Sequence, residues 1–96
     1  MSKRNRQRGK SYERWLANDL DGRRVGLLGM EDVLAGKYAI EAKEREKLPK
    51  FLTNTMEQAE RNCPQGKTAV VCLHKNAGNH DDDMVVMRYK DWRGLV

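Results

Sequence analysis

The stretch YAIEAK, residues 38–43, sets a glutamate and a lysine two positions apart in what reads as a β-strand. Side chains of a strand alternate between faces, so Tyr38 and Ile40 share one face while Glu41 and Lys43 share the other. Just upstream, EDVLAGKYAI carries Gly36-Lys37 between two apolar runs. Glycine at the first central position suits a two-residue type II′ hairpin. With that turn, Ala35 pairs with Tyr38, Leu34 with Ala39, Val33 with Ile40, and Asp32 falls directly opposite Glu41, at a Cβ separation of roughly 5 Å. Two carboxylates so placed repel unless a positive charge lies between them. A hard divalent cation such as Mg²⁺ supplies that charge, with Lys43 one step along the same face. The plainer alternative is a solvated face carrying a Glu41–Lys43 ion pair, worth ~0–1 kcal/mol.

Other elements must position these residues. SYERWLANDLDG, from Ser11 as N-cap to Gly22, predicts a helix with Tyr12, Trp15, Leu16 and Leu20 on its apolar side. Glu13 falls beside Leu20 at the margin of that arc, facing either a partly buried site or, as an acid of the first turn, the helix dipole. RRVGLL, EDVLA and YAIEAKE read as three strands. A second helix starts near Leu48, with Pro49 in its first turn, and runs to Cys63 with Leu48, Leu52, Thr55, Met56, Ala59 and Cys63 inward. Gln58 lies at the edge of that face, turned to the sheet or to water. KTAVVCLH predicts a strand covered on both faces, and MVVMRY a fifth strand, followed by a short tail in which Trp92 docks on the core. The order αβββαββ implies one mixed sheet, because a helical crossover permits a parallel pair while hairpins are antiparallel.

The chain has 96 residues, which suits one domain with a modest core and favours self-association. A net charge of +5 and a pI near 9.4 favour a polyanionic partner. Residues 1–10 carry Lys3, Arg4, Arg6, Arg8 and Lys10 without apolar periodicity and are expected to form a basic, flexible arm. Cys63 and Cys72 lack zinc-ligand spacing and read as buried free thiols of a reducing compartment. MSKRNRQRGK has no apolar signal core, and the run Ala69 to Leu73 is too short for a membrane span. A cytoplasmic protein, without membrane association or an organic cofactor, is expected. His74, His80 and the acids 81–83 read as a strand end and a polar loop in preference to a second metal site. Trp15 and Trp92 read as core or dimer-contact residues.

Glu13 on a first helix, Asp32 in a second strand and Glu41-Ala42-Lys43 in a third together resemble the PD-(D/E)XK nuclease superfamily. GKSYERWL, GMEDV, IEAKER and the downstream EQA are most similar to the archaeal-type Holliday junction resolvases and their phage relatives. The resemblance spans roughly Gly9 to Tyr89. It implies a restriction-endonuclease-like α/β fold, a mixed sheet of about five strands flanked by two helices, in a single nuclease domain over residues 1–96. It also implies direct Mg²⁺ ligation by Asp32 and Glu41, with Mn²⁺ as a substitute, and the Ala42 carbonyl as a possible third protein oxygen. Lys43 would orient or help deprotonate the attacking water and neutralise the scissile phosphate. Glu13 would act through a metal-bound water, and Gln58 would position Lys43 or the substrate. Lys3, Arg4, Arg6, Arg8, Lys10, Arg14, Arg45 and Lys47 are candidate phosphate contacts.

Two departures stand out. Glu31 replaces the proline frequent in the first motif, and Leu28-Gly29 stands where the resolvases usually carry a serine. The expected activity is metal-dependent cleavage of branched DNA, as a homodimer nicking opposing strands of a four-way junction, in the host cell cytoplasm if the chain is viral. Cleavage of flaps or other replication and repair intermediates is the alternative favoured by the missing serine. A noncatalytic nucleic-acid-binding module is the alternative of a different class.

Overall fold

The computed structural model describes residues 3–27 and 30–96, with side chains for 10–25 and 33–96. The chain expected as a single domain groups into two compact units, Met1–Glu46 and Lys47–Val96, each taken by itself below. Both mix helix and strand, so the chain is of mixed α/β class.

In the first unit, helix α1 spans Lys3–Asp19, and strands β1 (Arg23–Leu27), β2 (Met30–Ala35) and β3 (Tyr38–Glu41) follow. The segment up to residue 10, expected as a mobile arm, is helical from Lys3. Lysine, arginine and glutamine are good helix formers, and only Asn5 and Gly9 interrupt them, so propensity extends the helix where apolar periodicity gives no signal. Ser11 is consequently interior to α1 and not its N-cap. Glu13 is well past the first turn, which removes the dipole explanation of its placement.

α1 stops through backbone chemistry at its C-terminus. Asp21 takes φ +53°, and the Gly22 N–H donates to the Ala17 carbonyl at 2.7 Å. The Asp21 N–H reaches the Asn18 carbonyl at 3.4 Å, completing a Schellman-type cap. A Cβ at Gly22 would overlap the Leu34 carbonyl oxygen and lie 2.9 Å from Ala35 Cβ. Gly22→Ala is therefore expected to destabilise the protein by about 1–3 kcal/mol, measured by chemical denaturation.

The three strands form an antiparallel sheet in the order β1-β2-β3. Gly36 has φ +55° at the turn between β2 and β3. All four pairings expected from that turn are present: Ala35 with Tyr38, Leu34 with Ala39, Val33 with Ile40 and Asp32 with Glu41. α1 packs on β1 and β2. Leu16, Ala17, Val33 and Ala35 are buried, and Val33 is fully so. Along β3, Tyr38 and Ile40 are half-buried whereas Ala39 and Glu41 are exposed, as strand alternation requires.

The second unit contains α2 (Lys50–Arg61), β4 (Val71–Leu73), a 3₁₀ turn at His80–Asp82, β5 (Met84–Val86) and α3 (Tyr89–Arg93). α2 begins after Pro49 and packs on β4. Met56 is buried, Leu52, Thr55, Ala59 and Cys63 are half-buried, but Leu48 is exposed. β4 and β5 pair antiparallel.

The described strands thus form two antiparallel sheets, of three and two strands, in place of the single mixed sheet expected. KTAVVCLH contributes only three residues to β4, where Val71 is buried, Leu73 half-buried and Cys72 exposed. A continuous apolar run does not distinguish burial on both faces from a short strand covered on one. Cys63 and Cys72 are free thiols, but Cys72 is exposed and not buried as expected. Trp15 is exposed, whereas Trp92 is half-buried beside Tyr89, ring centroids 5.9 Å apart. Among the described residues no helix is long and apolar enough to cross a membrane.

β5 ends at Val86, and Arg88 turns to Glu60 of α2 in a two-pronged ion pair, Nε to Oε2 at 3.0 Å and Nη2 to Oε1 at 2.8 Å. Hydrogen bonding by Arg88 holds the Glu60 carboxyl below its usual range. A carboxylate depressed in the folded state stabilises it above the unfolded pKa, and that stability is lost as pH falls through the folded value. Acidification below about pH 5 is therefore expected to lower the Tm less in Glu60→Gln than in the wild type. The difference will be small, because both ends of the pair are exposed to solvent.

Candidate functional site

The β2–β3 hairpin determines the site through its register. The Gly36-Lys37 turn counts the rungs, and the fourth sets Asp32 opposite Glu41. The side chain of Asp32 lies outside the described residues, so its place is given by the backbone pairing. Glu41 closes β3 with its side chain 61% exposed, and the Lys43 ammonium lies 3.2 Å from Glu41 Oε1. Ala42, between them, is the first residue past β3 and is half-buried. The backbone register thus pairs two acidic positions across the ladder, and a lysine sits on one of them at an exposed strand end. Such a donor set suits Mg²⁺ or Mn²⁺, which prefer carboxylate, carbonyl and water oxygens.

Glu13 is buried at 3% exposure in the interior of α1. Its Oε2 accepts from Arg24 Nε at 3.1 Å. Arg24 stands opposite Val33, which the Ile40 pairing ties to the buried positions of the sheet. This ion pair belongs to the packing of α1 on the sheet, where an unpaired carboxylate would be costly. Sequence reasoning missed Arg24. Its position follows only from the β1–β2 register, which sets Arg24 opposite Val33.

Gln58 belongs to the second unit and is exposed on α2. Lys10, Arg14, Arg45 and Lys47 are exposed, as phosphate contacts must be. Lys3, Arg4, Arg6 and Arg8 lie on the first turns of α1, and their side chains fall outside the described residues. His74 follows the end of β4 and the acids 81–83 lie between the strands, as expected, and His74, His80 and Asp83 lie close together there. Nothing in their spacing of six and three residues announces this, since the loop fold alone creates it.

Compared with protein-family models, with curated proteins and with solved structures, the chain matches none.

Proposed function

We propose that the chain is a Mg²⁺-dependent endodeoxyribonuclease acting on branched DNA, with four-way junctions as the favoured substrate. The observation that carries this reading is the Asp32–Glu41 pairing with Lys43 held at Glu41. Two carboxylates directly across an antiparallel ladder repel one another, and a divalent cation between them removes that cost. Bound there, the metal would lower the pKa of a water and stabilise charge building on the phosphate oxygens.

The chain's own groups do the rest. Asp32 and Glu41 hold the ion, with the Ala42 carbonyl beside them. Lys43 orients the attacking water, takes part in its deprotonation and faces the scissile phosphate. Glu13, engaged with Arg24, is a positioning residue in this account. Gln58 enters it as a helper of Lys43 or of substrate. The finer fold in this reading is a restriction-endonuclease-like sheet of about five strands flanked by two helices. Exposed Lys10, Arg14, Arg45 and Lys47, with the basic start of α1, track phosphates without reading bases. Two such sites in a homodimer would nick opposing strands of a junction.

A second substrate reading, flaps or other replication and repair intermediates, draws on Leu28-Gly29, which offers no hydroxyl where junction enzymes carry serine. End-labelled four-way junction, flap, single-stranded and linear DNA of matched sequence, each with Mg²⁺ or chelator, separate these readings. Metal-dependent paired nicks confined to the junction support the first. Preferential flap cleavage transfers the proposal to the second. Binding without cleavage of any form, whatever the metal, leaves a noncatalytic nucleic-acid-binding module.

A further inference from the structure

We propose that His74, His80 and Asp83 form a surface site for one divalent transition-metal ion of the Zn²⁺ class, chemically unlike the carboxylate pair of the first unit. The loop between β4 and β5 brings these three residues together. Its strands pair through Leu73 and Met84, so His74 and Asp83 stand at the mouth of the loop as the next residues on either side. His80 arrives from the 3₁₀ turn, which closes through the Asp83 N–H on the His80 carbonyl at 3.1 Å. The Asn79 side chain caps the turn by accepting from the Asp81 N–H at 2.9 Å. Earlier in the loop, the Gly78 N–H donates to the Lys75 carbonyl at 2.8 Å, with Ala77 at φ +62°. Short-range bonds within the loop therefore set the positions of the three side chains.

The three side chains converge on a small space. His74 Nδ1 lies 2.6 Å from Asp83 Oδ1, and His80 Nδ1 lies 3.1 Å from Asp83 Oδ2. The two rings stack with centroids 4.3 Å apart and 26° between planes, so both Nδ1 edges meet the same carboxylate. Bonds of roughly 2.0–2.1 Å to nitrogen and oxygen make tetrahedral edges of about 3.4 Å. The N–O separations present need only open by less than about 1 Å to reach that. Binding replaces the two hydrogen bonds by coordination and releases any Nδ1 protons to solvent, as metal binding to imidazole requires.

Ligand chemistry selects the metal. Two imidazoles and one carboxylate suit Zn²⁺, Co²⁺ and similar borderline ions, whereas Mg²⁺ favours all-oxygen sets. Three protein ligands on an exposed loop leave a fourth position to water, as in zinc sites that remain open. The His80 side chain is 83% exposed, so its removal tests the site without disturbing a core.

The test is titration of the 96-residue chain with Co²⁺ in excess Mg²⁺, followed by visible absorption. The expected result is one equivalent bound, with the d–d bands of a four-coordinate ion, displaced by Zn²⁺. His80→Ala and Asp83→Asn should weaken binding at least about 100-fold with unchanged far-ultraviolet circular dichroism, while Glu41→Gln retains it. Equal binding by His80→Ala, a thiolate-to-cobalt charge-transfer band from Cys63 or Cys72, or no binding below millimolar Co²⁺ would each overturn the proposal.

Discussion

Glu41→Gln is expected to lower metal-dependent DNA cleavage by at least about 1,000-fold while leaving the fold as stable as before or slightly more so. The two halves of this expectation come from one geometry. Glu41 ends β3 with its side chain largely exposed, so an amide of the same shape disturbs no packing. The Lys43 contact it gives up is a surface ion pair, worth ~0–1 kcal/mol. Against that loss, the substitution removes like-charge repulsion from the residue opposite Asp32. Stability measured in chelator should thus hold or rise, whereas cleavage collapses because one metal-holding carboxylate is gone. A residue with only a structural role would behave the other way, with a lower Tm and unchanged turnover. Comparison of thermal unfolding in chelator with single-turnover cleavage in Mg²⁺ distinguishes the two.

The second large effect falls on stability. Arg24→Met should destabilise the protein by about 3 kcal/mol, because it takes a charged hydrogen-bond partner from a carboxylate that is 4% exposed. Arg24 is itself 32% exposed, which places the cost at the lower end for a broken buried pair. Exchanging Glu13 for leucine in the Arg24→Met background should restore much of the loss, since an apolar residue suits the layer of Leu16, Ala17 and Val33. Urea denaturation of both single variants and the double variant gives the coupling directly. A loss below about 0.5 kcal/mol in Arg24→Met would show that Glu13 draws its stabilisation from other groups.

The hairpin was legible because a local device determines a longer-range result. Gly36 supplies the positive φ that the turn needs, and every rung down to Asp32 and Glu41 follows by counting. Helix α1 was only half legible. Apolar periodicity begins at Tyr12, yet the helix begins at Lys3, since propensity alone carries its charged start. A helical wheel puts Glu13 beside Leu20 at the margin of the apolar arc, and leaves open whether it faces a partly buried site or the helix dipole. Its partner Arg24 could not be placed, because that contact depends on the register of β1 against β2. In the second unit, the apolar run around Val71 promised a long central strand, but three residues pair and Val70 remains exposed. Convergence of His74, His80 and Asp83 was invisible for a different reason. It arises from the fold of a ten-residue connection, held by hydrogen bonds that no hydropathy pattern encodes.

The central claim is that the Asp32–Glu41 rung holds a divalent metal, and substoichiometric Mn²⁺ tests it in the absence of DNA. Paramagnetic broadening of backbone amide resonances reports which residues lie near the ion. The account predicts that the amides of Asp32, Glu41, Ala42 and Lys43 broaden first in the wild type and are spared in Glu41→Gln. Undisturbed amides at those four positions, with broadening confined to the loop of residues 74–83, would contradict it.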